Sequence, residues 1–386
     1  MENSKGQHRA TVAEVNIPAL KNNFQTLQSL LKPGVETMAV VKADAYGHGA
    51  LPCAQALVEA GARSLGVGVV EEGVQIREKG ISVPIQVLCG IFPEEIDDLI
   101  RFKLTTTLST LEMAKTLAIR AEKLNTQVGV HIKVNTGMGR LGIPPEEATD
   151  FIEQVRSLKT LRIDSLFTHF STADEHDPEY SQKQLKLFEE LMTRLAFRKI
   201  LIPKIHAANS SALLKFPESQ FDLVRPGILL YGALTSPGLE PYRKVLEQQS
   251  TSFQPVMQWK TRIININEVP SDSSLSYGRK FTTKKQSKIA TLPVGYADGL
   301  QRNLSGKIEV LVNGKRAPQV GTICMDLCLV DVSDIPEPRE GDEVVLFGNQ
   351  GNETIRIEEV ALHGNTIPYE IMCCVGKRVP RVYTVE

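Results

Sequence analysis

The sequence predicts an α/β chain in two parts, a (β/α)8 TIM barrel followed by a mostly antiparallel all-β C-terminal domain. Three observations predict it. Eight short, β-branched apolar runs alternate with longer amphipathic stretches between Glu14 and Arg225, the rhythm of repeated strand-helix units. Polar side chains gather at the carboxyl ends of those runs, which in a barrel share one rim. After about Gln249 the rhythm changes to short strands separated by turns, as in an antiparallel sheet.

Taken in order, the first strand is Thr37–Val41. The next seven are expected at Ser64–Val69, Pro84–Leu88, Lys103–Thr107, Val128–Val134, Leu161–Phe167, Pro203–Ala207 and Leu223–Arg225. Between them, stretches such as Leu111–Leu124 and Ser181–Ala196 repeat leucine at three- and four-residue steps, the period of a helix with one buried face. Eight such units in roughly 200–250 residues is the usual size of this barrel. The barrel is expected over residues 13–249, with Gly232–Ser252 as the join. The β domain is expected over 250–386, with residues 1–12 joining it. Its strands are expected at Thr261–Val269, Lys288–Val294, Lys307–Val312, Cys328–Val332 and Glu343–Phe347, and Asn313-Gly314 is a hairpin signal.

Composition narrows the partners. Lys+Arg total 44 against Asp+Glu 45, a formal net charge of -1, so no global basic field awaits a nucleic-acid backbone. The start of the chain lacks an apolar signal core and no stretch is long enough to span a bilayer, so the expected setting is cytoplasmic and the expected ligand a small molecule. The six cysteines fit neither a disulfide framework nor a zinc ribbon.

Chemistry concentrates at the rim. Lys42 ends the first strand and opens the turn Ala43-Asp44-Ala45-Tyr46-Gly47-His48-Gly49. A lysine at a strand end ordinarily reaches for water, but a poorly hydrated one becomes an imine-forming nucleophile or proton carrier. Arg140 follows strand five, His169 strand six, Asn209 and Ser210 strand seven, and Arg225-Pro226-Gly227 closes strand eight. Asn209-Ser210-Ser211-Ala212 with the amides of Gly227 and Ile228 suits a phosphate. Helix capping uses the same geometry, so the serine alone does not discriminate. A phosphate anchor opposite an imine-forming lysine suggests pyridoxal phosphate.

The segments that carry a family resemblance are Val40-Val41-Lys42-Ala43-Asp44-Ala45-Tyr46-Gly47-His48-Gly49, Lys133-Val134-Asn135-Thr136-Gly137-Met138-Gly139-Arg140-Leu141-Gly142, Thr168-His169-Phe170, Ala208-Asn209-Ser210, Val224-Arg225-Pro226-Gly227-Ile228, Ser276-Tyr277-Gly278, Gly295-Tyr296-Ala297-Asp298-Gly299 and Cys324-Met325-Asp326. Together they resemble the alanine racemase family over nearly the full chain. The resemblance implies a cytoplasmic enzyme that uses pyridoxal 5'-phosphate to interconvert L- and D-alanine, supplying D-alanine for peptidoglycan. It implies that Lys42 holds the cofactor as an internal aldimine and moves the α-proton on one face, and that Tyr277, arriving from the partner in a homodimer, serves the other. It further implies that Arg225, positioned by His206, faces the pyridine nitrogen. Tyr46, Ser210, Gly227, Ile228 and Tyr369 would form the phosphate set.

By the same resemblance Arg140 lies near the cofactor's phenolic oxygen and His169 beside its ring, while the Met325 amide receives the substrate carboxylate. Lys133 matches a family lysine that can be carbamylated, its negative charge then holding Arg140. Two positions depart from the common pattern. Asn135 stands where many members carry aspartate, and Thr322 where an entrance arginine is common, in a channel with Asp174, Tyr296, Arg302 and Ile367. Racemisation of serine or of a broader set of amino acids is the alternative within this scaffold. A non-catalytic pyridoxal-phosphate carrier is the alternative outside it, disfavoured because that class lacks the β domain and hence Tyr277.

Overall fold

The computed structural model describes residues 9–234, 239–248 and 252–384. By internal contacts the chain forms two units, one running from Leu20 to Leu230, the other taking the chain up to Ala19 and from Gln254 onward. Among the described residues no helix is long and apolar enough to cross a membrane.

The chain opens with β1 (Val12–Asn16), which belongs to the second unit and is taken up with it. The first unit holds β2 (Glu36–Val40), β3 (Ser64–Val67), β4 (Ile85–Val87), β5 (Thr105–Leu108), β6 (Val128–Lys133), β7 (Leu161–Phe167), β8 (Ile205–His206) and β9 (Leu223–Val224). They pair in parallel in the order β8-β7-β6-β5-β4-β3-β2-β9. The ends of that order meet through a parallel bridge between Asn209 and Arg225 and a hydrogen bond from Asp222 N to Ile205 O of 3.0 Å, which closes the barrel. All eight strands match runs expected from the sequence. β6 is buried at every position, as a strand walled by helices on one side and the barrel core on the other must be. The helix Leu111–Lys123 shows how the walls form. Thr110 caps it by accepting from Met113 N, and Ala114, Leu117, Ala118 and Ala121 bury one face.

The second unit continues with β10 (Met257–Arg262), β11 (Asn265–Val269), β12 (Ser274–Leu275), β13 (Phe281–Thr282), β14 (Ser287–Leu292), β15 (Glu309–Val312), β16 (Lys315–Val320), β17 (Cys328–Asp331), β18 (Glu343–Gln350), β19 (Glu353–Ile355) and β20 (Arg381–Thr384). The main sheet runs β11-β14-β17-β16-β15-β18-β10-β1-β20, antiparallel except for β1 with β20. Trp259, Leu292, Leu311, Val330, Val344 and Val345 anchor its core. The hairpin signal holds. Asn313 and Gly314 take φ of 50° and 73°, the left-handed pair that a two-residue turn between right-twisted strands requires.

Three expectations differ from the structure. β1, inside the expected barrel range of 13–249, pairs with β10 and β20. The single strand expected at Thr261–Val269 is two, because the chain changes partners there: β10 lies on β18 and β11 on β14, with the buried Ile263 tied to Asp342 and Gly341 between them. The all-β unit also carries two helices, Ile357–Gly364 and Pro368–Cys374, whose buried residues fall at i, i+1 and i+4 in the first and at i, i+3 and i+4 in the second. Of the expected join, residues 235–238 and 249–251 lie outside the described residues, and Glu240–Gln248 is a helix. Of residues 1–12, those from 9 on are described; Arg9 pairs with the buried Asp298 at 2.7 Å.

Candidate active site

Lys42 sits two residues beyond β2, at the head of a turn of unusual hand. Ala43, Asp44, Ala45 and Tyr46 all take φ between 52° and 54°. Each left-handed residue costs roughly 1–2 kcal/mol against its right-handed form, so the turn needs fixing from outside. Glu72 supplies much of it, its two carboxylate oxygens accepting from Ala43 N at 2.6 Å and Gly68 N at 2.7 Å. Asp44 accepts from Ala50 N, and the amides of Ala45, Gly47 and Gly49 close onto Val41, Ala43 and Asp44. Charge-assisted bonds of this kind contribute about 1.5–3 kcal/mol each.

Arg225 follows β9 directly and is buried. Its Nη1 donates to His206 Nδ1 at 2.6 Å. Its Nη2 reaches the carbonyls of Thr168 at 2.8 Å and Ala207 at 2.9 Å, and His169 Nδ1 at 3.3 Å. Phe167 lies beneath the guanidinium at 5.3 Å and stacks on His206 at 4.8 Å. Burial pushes Arg225 down to about 9, so it stays a cation at neutral pH. These bonds leave Nε–H and one Nη1 proton for a ligand. His169 is held well below the usual histidine range by burial and then by Arg225, Lys133, Arg140 and Lys42. All four of those groups are cationic, and Arg225 is the one in contact with the ring. Lys133, buried on β6, is pushed down to about 8, first by burial and then by Arg140 and Arg225.

The loop bearing Arg140 is closed at its base by mutual bonds between Asn135 N and Ile143 O and between Ile143 N and Lys133 O. Asn135 Oδ1 accepts from the amides of Gly137 and Gly139. An acceptor is all that geometry needs, and asparagine supplies it.

The phosphate set is built differently from the expectation in two respects. Asn209 Oδ1 caps the following helix by accepting from Ala212 N at 2.9 Å. The Gly227 amide, expected to be free for a phosphate, donates to the buried Ser210 Oγ at 2.9 Å. The need for glycine at 227 is steric: a Cβ there would lie 2.3 Å from Tyr46 Oη and 3.0 Å from its Cζ. Gly227→Ala should therefore displace Tyr46 and weaken cofactor binding at least about tenfold, the effect of roughly 1.4 kcal/mol. Titration of the folded variant followed by cofactor absorbance checks this; affinity equal to wild type would separate Tyr46 from the cradle.

The residues present fit pyridoxal phosphate. Cations on the barrel strands and their following turns suit an anionic ligand, Ser210 and Tyr46 stand together where a Cβ on Gly227 would fill the space, and Lys42 supplies the amine. Tyr277, Met325 and Tyr369 lie on the other unit. Tyr277 is 72% exposed and Met325 53%. The Tyr277 turn is braced by its neighbours: Ser276 Oγ donates to Thr322 O at 2.6 Å, and Thr322 Oγ1 donates to Tyr277 O at 2.8 Å. The departure at Thr322 thus supports the backbone of that turn. Gly295 lets the backbone of Cys324 and Met325 approach, since a Cβ would meet their carbonyl oxygens at 2.3 and 2.4 Å. Sequence reasoning missed Glu72 and Phe167, whose only signal is their place one βα unit or one strand away from the residues they support.

Two family models match the chain, "Alanine racemase, N-terminal domain" over residues 15–235 and "Alanine racemase, C-terminal domain" over 256–383. It is 46% identical to an alanine racemase of Halothermothrix orenii over 375 residues, 97% of each chain. It is 44% identical to one of Desulforamulus reducens, over 96% of this chain and 98% of that one. The fold is similar to the solved alanine racemase of Clostridium difficile 630 at a TM-score of 0.89 and 35% identity, covering 97% of this chain and 96% of that one.

Proposed function

This chain belongs to the alanine racemase family, and we propose that it interconverts L- and D-alanine with pyridoxal 5'-phosphate, as a cytoplasmic homodimer whose active sites are shared. The observation that carries the reading is the set of groups at the carboxyl ends of the barrel strands: the amine of Lys42 after β2, the buried Arg225 at 3.3 Å from His169, and Ser210 with Tyr46 against Gly227, a setting for an anionic ligand around one amine.

Pyridoxal phosphate, when bound, supplies delocalisation of the electrons left on the α-carbon after its proton departs. Lys42 holds the cofactor and takes or returns the proton on one face. The partner subunit's Tyr277 does so on the other, and inversion requires both, because one base alone returns the proton to the side it left. The exposure of Tyr277 supports a partner, since a base on open surface has no substrate to meet. Ser210 and Tyr46 hold the phosphate, with Ile228 and Tyr369 completing that end; Gly227 leaves room for Tyr46, Asn209 caps the helix that begins at Ser210, and His169 packs beside the ring. Arg140 and the Met325 amide receive the carboxylate. Arg225, donor only and cationic, opposes protonation of the ring nitrogen. It thereby limits how strongly electrons are withdrawn and favours proton return over side reactions. D-Alanine made this way is available for peptidoglycan.

Lys133 belongs to the same proposal as a carbamate. With its amine near 8, roughly a tenth is neutral at pH 7 and able to add carbon dioxide, the lost proton passing to solvent. The product replaces repulsion of Arg140 and Arg225 by attraction. Removing carbon dioxide should lower activity reversibly, and gentle intact-mass measurement should show the adduct on Lys133. An unmodified amine with full activity ends this part of the reading.

The whole reading is tested by incubating holoenzyme with L-alanine and, separately, L-serine and measuring the D-isomers by chiral chromatography. D-Alanine should form much faster than D-serine. No D-alanine would overturn the proposal.

A further inference from the structure

A line of hydrogen bonds leaves Arg225 and runs through the barrel interior away from the candidate active site. His206 Nε2 lies 2.8 Å from Ser165 Oγ, which lies 2.6 Å from His131 Nδ1. His131 Nε2 lies 2.8 Å from Thr105 Oγ1, and Thr105 Oγ1 donates to Ile85 O at 3.1 Å. The strand register explains why these groups meet: His131 of β6 pairs directly with Ser165 of β7, and Phe167 of β7 with His206 of β8.

The direction of every proton along this line follows from one fact, that a guanidinium can only donate. Arg225 Nη1–H therefore makes His206 Nδ1 an acceptor. A neutral ring with a bare Nδ1 carries its proton on Nε2, so His206 donates to Ser165 Oγ. Ser165 then has one proton to give, and its short contact is with His131 Nδ1. His131 is left with Nε2–H, which donates to Thr105. Thr105 passes its own proton to a backbone carbonyl, where the line ends. Burial dominates in keeping both rings neutral: His206 is held well below the usual range, with Arg225 next in effect, and His131 is pushed down to about 4. Each group is thus satisfied in one sense only, and reversing any member leaves two donors or two acceptors facing each other.

The line ends at the other mouth of the barrel. Thr105, His131, Ser165 and His206 all border a cavity of about 740 Å3 whose remaining lining includes Glu36, Ser64 and Leu223, the first residues of their strands. Arg225 faces the carboxyl ends of the strands, where barrel enzymes do chemistry, and the line reaches to the amino ends, where residues ordinarily serve stability.

We propose that Ser165 and His131 are positioning residues for racemisation: they fix His206 as the Nε2–H tautomer, which aims the Nδ1 lone pair at Arg225 and so sets the direction of that arginine's remaining donors. The catalytic end of this proposal rests on the reading of Arg225 given above, whereas the tautomers stand independently of it.

The test begins without any variant. Full-length protein labelled with 15N in its histidine rings is measured by NMR before and after loading with pyridoxal phosphate. His206 and His131 should each show a bare Nδ1 and a protonated Nε2, in both samples. Protonated Nδ1 on His206 in the wild type overturns the proposal outright. In Ser165→Ala, His206 should show mixed tautomers and kcat should fall about tenfold, the effect of one buried hydrogen bond, with KM for alanine little changed. Ser165→Thr should restore both signals, which a general packing defect would not allow. Unchanged His206 resonances in Ser165→Ala overturn the proposal, as does an unchanged kcat beside altered resonances, which severs the line from catalysis. Absence of racemisation in the wild type would strike the functional reading instead and leave the tautomer result standing.

Discussion

Lys42→Ala should lower D-alanine formation about 10⁴-fold or more. Positioned acid-base groups contribute roughly 10²–10⁴ in rate on their own, and this substitution also removes the covalent tether to the cofactor. The fold should survive. The turn that carries Lys42 is fixed through Glu72, Asp44 and backbone bonds, none of which involves the lysine ammonium. Cofactor should still bind weakly through the Ser210 and Tyr46 end, with an altered visible spectrum, and a small primary amine added to the assay should recover part of the rate. Activity within tenfold of wild type would remove Lys42 from the mechanism.

Tyr277→Phe should reduce racemisation by about 10³-fold while leaving cofactor absorbance unchanged. The change deletes one hydroxyl from a side chain whose turn is held by Ser276 and Thr322 through backbone carbonyls, so its shape should persist. The decisive measurement is made in deuterium oxide. With Lys42 intact, one enantiomer should still exchange its α-hydrogen without inverting, and the other should exchange far more slowly. Equal slowing of exchange in both enantiomers would mean that Tyr277 shapes the site and carries no proton. Mixing Tyr277→Phe with Lys42→Ala subunits offers a complementary reading. If active sites are shared, hybrid dimers regain activity, because one of their two sites then holds both wild-type groups.

Much of the barrel was legible because each βα unit announces itself locally. A run such as Val128–Lys133, with Val128, Val130 and Ile132 at every second position, reads as a strand, and Thr110 marks the start of the helix before it by a local bond. What could not be read was whatever depends on a partner far along the chain. Val12–Asn16 alternates like any half-buried strand, and nothing within it points to Met257 or Arg381. Thr261–Val269 carries strand-forming residues on both sides of the point where the sheet partner changes. At the site, Lys42, Arg140, His169, Ser210 and Arg225 stood out as polar groups closing apolar strands. Glu72, Ser165 and His131 did not, since a helix carboxylate, a strand serine and a strand histidine acquire a purpose only from what lies across from them. The Gly227 amide shows the converse. Its residue type was right for an anion cradle, yet its proton is already given to Ser210, and the glycine is required by the bulk of Tyr46.

The left-handed turn after β2 couples the timing of assembly to the integrity of the site. Four residues that individually disfavour their conformation cannot hold it while the chain is still incomplete. The clasp they need comes from Glu72, on the helix that follows β3. The lysine is therefore aimed only once the neighbouring strand and helix have docked. A nascent chain, or a barrel opened at β3, carries Lys42 on a slack loop with no preference for the rim. On the proposed reading of Lys42, its reactivity toward an aldehyde would then report that the neighbouring strand and helix are in place.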